Sequence, residues 1–213
     1  MIKILYEDNH IIVAYKPKGI LSQADGSNKE DMLTILKDYI KNKYNKPGNV
    51  YLGLVHRLDI NTSGVMVFAR TSKAASRLSD EIKNHQFQKK YIATVEGVIT
   101  NTNYQLLENK LKKDEKNRKS YISNDGDIAK LEYKALKTYK INNTNVTDIE
   151  IILHTGRFHQ IRCQMAAINH PLYGDIKYGS KNIIDYNEFP LEAYSLAFIH
   201  PTTKQFLEFQ NKQ

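Results

Sequence analysis

Residues 56–70 read HRLDINTSGVMVFAR, and the apolar half of this stretch decides the fold around it. Residues 65–69 form an uninterrupted apolar run, which has the length of a strand buried on both faces. The preceding residues 61–64 are Asn, Thr, Ser and Gly, and turns favour residues of this kind. Residues 51–59 predict another strand. Residues 51–69 are therefore expected to form two strands joined by a turn.

On both sides of this stretch, apolar periodicity predicts three helices and further strands. Helical spacing of apolar residues predicts helices over 31–44 and 158–168, and a third that begins near Ser72. Further strands are predicted at 2–6, 11–15, 90–99, 131–139, 147–153, 192–200 and 205–209. The polar stretch 100–130 predicts an irregular excursion over the surface. These elements favour one mixed domain of helices and strands covering residues 1–213.

The composition points to a polyanionic partner. The chain has 213 residues, a formal net charge of +8 and a pI near 9.3. Nucleic acid is the first candidate for such a charge and an anionic membrane surface the second, although many basic proteins bind neither. The single cysteine, Cys163, excludes an intramolecular disulfide and suits the cytoplasm. No apolar run has the length of a signal peptide or a membrane span, so we expect neither export nor membrane insertion.

The absence of several motifs argues against some classes of enzyme. The sequence has no phosphate-binding loop of the G-x-x-x-x-G-K-[ST] type, no G-x-G-x-x-G after a strand and no H-E-x-x-H helix. NTPase, dehydrogenase and zinc-protease functions therefore have no support. His154 and His159 are the closest histidines in the sequence, and no carboxylate ligand lies near them. We expect no metal site and no cofactor.

Two groups of charged residues are candidates for a site. On a strand, Arg57 and Asp59 would project from the same face, where the guanidinium would favour the ionised carboxylate. An exposed ion pair of little energetic weight is the alternative, and spacing alone favours it. Arg157, His159 and Arg162 would begin the helix predicted at 158–168 and could bind an anion there.

Four segments, in order, resemble one known family. HRLDINTSG at 56–64 resembles the signature of the RluA-like pseudouridine synthases. YKPKGIL at 15–21 resembles the K-P-x-G element of that family, and KKYIATVEG at 89–97 resembles its K-x-Y strand. TGRFHQIRCQMAAINHPLYGD at 155–175 resembles its T-G-R-x-H-Q-I-R helix and the following H-P-x-x-G-D turn. The resemblance runs from about residue 2 to residue 209.

The resemblance implies a fold, a reaction and roles for four residues. The fold is α+β, with a mixed, largely antiparallel central sheet, flanking helices and an RNA-binding cleft. The reaction converts a uridine in RNA to pseudouridine without a cofactor. Asp59 is implied as the catalytic aspartate, Tyr91 as the aromatic residue stacked near the target base, and Arg162 as the pocket arginine that pairs with Asp59. Arg57 is implied to enter the space left by the flipped nucleotide.

RNA contacts are expected from the remaining polar residues of the motifs, namely Lys16, Lys18, His56, Thr62, Arg157 and His159. The expected partner is ribosomal or transfer RNA, and the protein is expected to be a cytoplasmic monomer. Many relatives carry an N-terminal S4-type domain, and here the first residues already resemble the catalytic domain. A non-catalytic RNA-binding or ribosome-assembly protein on the same fold is the main alternative. A glycosidase would require a second positioned carboxylate, and the sequence near Asp59 supplies none.

Overall fold

A computed structural model describes residues 2–211, except for the side chain of Tyr186. The chain divides into two compact units, one of Met1–Phe87 with Ala193–Gln213 and the other of Gln88–Glu192. Within the described residues the strands are β1 (Ile4–Glu7), β2 (Ile11–Lys16), β3 (Gly53–Leu54), β4 (Ser63–Ala69), β5 (Gln88–Glu96), β6 (Gln105–Asp114), β7 (Lys119–Ile122), β8 (Asp127–Ile141), β9 (Thr144–Leu153), β10 (Leu191–Ile199) and β11 (Phe206–Gln210). The α-helices are α1 (Met32–Lys43), α2 (Ser72–Lys83) and α3 (Gln160–Ala167).

The first unit is organised around β4, which is buried along its whole length. The strand order is β1-β2-β4-β10, with β3 also paired to β4 and β11 to β10. Residues Val65 and Val67 of β4 share a core cluster with Leu78 of α2 and Phe198 of β10. The apolar run at 65–69 therefore forms the fully buried strand that the sequence predicted.

The second unit is an antiparallel sheet with the strand order β5-β9-β8-β6-β7. Helix α3 packs against β6 and β7. Gln164 of α3 is buried, and its amide donates to the backbone carbonyls of Leu107 and Ala129 and to the side chain of Asn109. These bonds fasten the helix to two strands of the sheet.

The α+β class is confirmed, and most predicted elements are present. The helices predicted at 31–44 and from Ser72 are α1 and α2, whose N-caps Asp31 and Thr71 accept backbone N–H bonds. Among the described residues, no helix combines the length and the apolar character needed to span a bilayer. The strands predicted at both ends of the chain are present with small shifts of their boundaries.

Two predictions of local structure are wrong, and the helix predicted at 158–168 is present but shorter than predicted. The excursion predicted at 100–130 consists instead of β6, β7 and the start of β8. Charged residues alternate with a few buried ones there, because α3 covers one face and the other is exposed. Only Gly53–Leu54 is strand within the stretch predicted at 51–59. The third helix begins at Gln160, because His159 has a left-handed backbone with φ near 49°.

Candidate active site

The segment that carries Asp59 is an irregular loop pinned at several points within the first unit. The Ser22 hydroxyl donates to the backbone carbonyl of Leu58 at 2.8 Å and accepts the Leu58 N–H at 3.0 Å. The Thr62 N–H donates to the carbonyl of Asp59 at 3.0 Å. The Gly19 N–H donates to the carbonyl of Ile60 at 2.9 Å. The backbone on both sides of Asp59 is therefore fixed by hydrogen bonds to distant parts of the chain.

The buried lysine of the K-P-x-G element lies beside this loop. Lys16 is fully buried, and its ammonium group donates to the carbonyls of Pro17, Ile20 and Ile60. Burial lowers the pKa of Lys16 to about 8, while the nearby Asp59 carboxylate acts in the opposite direction. At neutral pH the loop therefore has a positive charge close to Asp59.

This burial corrects the prediction that Lys16 contacts RNA. All three N–H groups of its ammonium are used by backbone carbonyls, and no part of the side chain reaches solvent. Lys18, which is half-buried, keeps its predicted role as an expectation. Lys16 instead connects the loop at residues 17–20 to the loop of Asp59.

The geometry predicted for Arg57 and Asp59 is also wrong. The two residues do not lie on a strand, so the alternation of a strand does not place their side chains on one face. Arg57 is exposed and Asp59 is half-buried. The contact of Arg57 with the RNA stack stays a prediction, and the exposure of Arg57 is compatible with it.

Three other motif residues of the first unit are buried or hydrogen-bonded within it. The backbone N–H of Val67 donates to Nε2 of His56 at 3.1 Å, so that nitrogen is the unprotonated one. Thr62 is buried. Gly64 has a φ of 143°, and a Cβ added there would collide with the carbonyl oxygen of Ala193. The glycine of the T-S-G signature is therefore required by the close approach of β10.

In the second unit, Arg162 is fixed by a forked ion pair. Its Nε donates to Oδ2 of Asp175 at 2.6 Å, and its Nη2 donates to Oδ1 at 2.7 Å. The guanidinium also lies against two aromatic rings, 5.0 Å from the centroid of Tyr178 and 5.3 Å from that of Phe189. Both the direction and the plane of the Arg162 head group are thus set by its surroundings.

His159 extends this arrangement as a neutral ring. Its Nε2 lies 3.0 Å from Nη1 of Arg162, and its Nδ1 lies 3.1 Å from the hydroxyl oxygen of Tyr178. Burial, together with the charges of Arg162, Lys177 and Lys113, lowers the pKa of His159 to about 3. Arginine can only donate, so Nε2 accepts and Nδ1 carries the proton. His159 is therefore not a cation that could bind a phosphate by charge.

The loop before α3 is held in place by Gln160. Its side-chain oxygen accepts bonds from the Thr155 hydroxyl at 2.8 Å and the Arg157 N–H at 3.0 Å. Arg157 itself is exposed, and its Nε donates to the carbonyl of Ile128. The expected RNA contact of Arg157 is compatible with this exposure, but Arg157 does not lie on the helix as predicted.

Tyr91 lies on β5, as predicted, and is buried together with Ala93 and Val95 on the same face of the strand. Its register partner is Ile151 of β9.

Among the described residues, no group of three or more histidine, cysteine, aspartate or glutamate side chains is arranged as a metal site.

Sequence reasoning missed two residues of these sites. Ser22 carries no local signal, because its partner Leu58 is 36 residues away. Asp175 was visible only as the last residue of the H-P-x-x-G-D turn, and nothing in the sequence linked it to Arg162.

Comparison with known proteins identifies the family. A family model described as RNA pseudouridylate synthase matches residues 10–167. The chain belongs to this family. It is 33% identical over 209 residues to an uncharacterised RNA pseudouridine synthase of Bacillus subtilis (strain 168). The matched residues make up 97% of this chain and 67% of the relative. Ribosomal large subunit pseudouridine synthase C of Buchnera aphidicola subsp. Schizaphis graminum is 35% identical over 212 residues, covering 94% of this chain and 63% of the relative.

A transfer RNA enzyme and a solved structure complete the comparison. tRNA pseudouridine synthase C of Vibrio cholerae is 32% identical over 224 residues, covering 96% of this chain and 88% of the relative. The solved human RNA Pseudouridylate Synthase Domain Containing 4 has a TM-score of 0.77 at 22% identity, covering 99% of this chain and 88% of that chain, and it shows the fold. The predictions of an RluA-like relative and of an RNA-modifying isomerase are confirmed.

Proposed function

We propose that this pseudouridine synthase converts specific uridines of ribosomal or transfer RNA to pseudouridine, with Asp59 as the essential carboxylate. The observation that carries the proposal is the loop around Asp59, which belongs to the family signature and is pinned by Ser22, Gly19 and Lys16. The names of the relatives from Buchnera and Vibrio support the two RNA classes.

The reaction requires an ionised carboxylate near the ribose. The bond from C1′ to N1 of the uridine breaks, the uracil turns, and a new bond forms from C1′ to C5, which then loses its proton. Asp59 acts either by attacking C1′ or by removing the C2′ proton, and both roles require the charged form. The ammonium group of Lys16 supports this charge, because a nearby cation favours an ionised carboxylate.

Tyr91, Arg162 and Arg57 take the roles that the family resemblance implies. Tyr91 offers a flat ring for the uracil, and stacking of a base on an aromatic ring contributes about 1–3 kcal/mol. Arg162 pairs with Asp59, and Arg57 fills the space of the flipped nucleotide, which offsets part of the cost of unstacking. Lys18 and Arg157 contact the RNA backbone.

Three further properties complete the proposal. Residues 1–213 serve as a catalytic domain that binds RNA. The protein works as a monomer in the cytoplasm. Binding to RNA weakens as salt is raised, with a slope near −0.7 for each neutralised phosphate of a single strand.

The decisive experiment is tritium release from RNA that contains uridine labelled at C5. Transfer and ribosomal RNA are purified separately and incubated with the wild type, the Asp59→Asn variant and a Ser79→Ala control, whose side chain is exposed on α2. We expect release by the wild type and the control from one RNA class, and none by Asp59→Asn. RNA binding by Asp59→Asn should persist, since the substitution removes the nucleophile or base and little else.

Release by Asp59→Asn at the wild-type rate would contradict the role of Asp59. Binding of RNA without release by any form, under conditions in which tRNA pseudouridine synthase C of Vibrio cholerae is active, would favour the non-catalytic RNA-binding protein.

A further inference from the structure

We propose that Asp175 is a positioning residue that sets the orientation of the Arg162 guanidinium during uridine isomerisation. The inference rests on the proposed function, in which Arg162 serves the reaction. It adds a residue that the proposed function does not use, and it lies entirely within the second unit.

The carboxylate of Asp175 is itself rigidly placed. Its side chain is 1% exposed, compared with 12% for that of Arg162. Its backbone N–H donates to the carbonyl of Leu172 at 2.9 Å, and its carbonyl accepts from Tyr178 at 3.0 Å and from Ser180 at 3.1 Å. Three backbone bonds therefore fix the residue from which the fork to Arg162 is made.

Other contacts of Arg162 restrict the rotations of the guanidinium that the forked ion pair with Asp175 still allows. The fork uses Nε and Nη2, the neutral His159 ring accepts from Nη1, and the rings of Tyr178 and Phe189 fix the plane. A guanidinium has five N–H groups, and these contacts use three of them. Asp175 and His159 thus hold one edge of the guanidinium, which fixes the direction in which the rest of the group points.

Stability alone is a weak reason for such an arrangement. Replacing a buried ion pair by apolar residues of similar volume is often neutral or stabilising, because both charges must lose their hydration. Here the ion pair is bidentate, His159 accepts a further hydrogen bond from Arg162, and two aromatic rings flank the guanidinium. These features define an orientation of Arg162, and a reaction that depends on Arg162 would depend on that orientation.

The substitution Asp175→Asn tests this role. Asparagine keeps one acceptor oxygen but turns its amide toward a second N–H donor of Arg162, so the fork is lost and the head group can rotate. We expect the single-turnover rate constant for uridine conversion to fall about 10²-fold, with little change in the RNA concentration needed for half saturation. Ile176→Ala is the matched control, since Ile176 is the next residue and is 61% exposed.

A double-mutant cycle separates positioning from a general structural role. If Asp175 acts through Arg162, the Asp175→Asn substitution should slow the wild type but should not slow an Arg162→Lys variant further. Melting temperatures measured in parallel show whether each variant is folded at the assay temperature. If Asp175→Asn does not fold, Asp175→Glu replaces it, because it keeps the charge but displaces it by one methylene, and it should lower the rate at least tenfold.

Each outcome decides the matter. An unchanged rate constant in a folded Asp175→Asn or Asp175→Glu variant would overturn the inference, as would equal and additive losses on the wild-type and Arg162→Lys backgrounds. No conversion by the wild type on any RNA would instead refute the proposed function, and with it this role of Asp175.

Discussion

Replacing Ser22 by alanine should show how strongly the Asp59 loop depends on a residue outside every recognised motif. The Ser22 hydroxyl both donates to and accepts from the backbone of Leu58, at 2.8 and 3.0 Å. Ser22 is 5% exposed and Leu58 is 8% exposed, so water cannot readily replace the missing oxygen. Ser22→Ala leaves one buried N–H and one buried carbonyl without this partner.

The magnitude follows from these two groups. A buried polar group that loses its partner costs about 1–3 kcal/mol, so the pair should lower the free energy of unfolding by about 3 kcal/mol. Urea unfolding of a chain this size has an m-value of about 2–3 kcal/mol per molar, so the midpoint should fall by about 1 M. The rate of uridine conversion should fall as well, because Leu58 directly precedes Asp59.

The assay is urea unfolding followed by circular dichroism, with tritium release measured where every variant is fully folded. Ser79→Ala is the control, since exposed substitutions change stability by no more than about 0.5 kcal/mol. A midpoint for Ser22→Ala equal to that of Ser79→Ala would refute the reasoning, and an unchanged rate would show that Ser22 does not orient Asp59.

Two further predictions concern a glycine and a histidine. Gly64→Ala should lower the free energy of unfolding by about 4 kcal/mol, because the added Cβ would meet the backbone of Ala193 and the φ of Gly64 is positive. The control is Gly48→Ala, since no atom lies within 4 Å of a Cβ added there. In urea unfolding the control should change the free energy of unfolding by less than about 1 kcal/mol. Equal midpoints for the two variants would contradict this. His159 has its pKa lowered to about 3, so the unfolded chain binds the extra proton between pH 6.5 and 3, and stability should fall as the pH drops through that window. His159→Gln should flatten this dependence in urea unfolding at several pH values, and an unchanged slope would mean that His159 is not the group responsible.

The sequence determined the elements whose signal is local. β4 was predictable because a strand buried on both faces is apolar at every position, and α1 and α2 because each begins with a side-chain cap and buries one stripe. The family was predictable because four motifs keep their order along the chain. Asp59, Tyr91 and Arg162 were singled out from those motifs and not from periodicity.

Other features were not predictable because their partners are distant in the sequence. Residues 51–59 have the composition of a strand, but Ser22 bonds to Leu58 and holds that part as a loop. Charged residues occupy alternate positions of strand β6, and this pattern favours a surface excursion when it is read from the sequence. The structure shows a strand instead, because α3 covers its other face. A pattern read along the chain does not show which face another element will cover.

The same limit applies to the charged residues of the motifs. The sequence by itself showed that Lys16, His159 and Arg162 lie in motifs that resemble those of an RNA-modifying family, since the order of the motifs carries that information. Only the tertiary structure decided what each does, because burial and partners set the state of an ionisable group. Lys16 is enclosed by three carbonyls, His159 is neutral, and Arg162 is held by Asp175 from a separate turn.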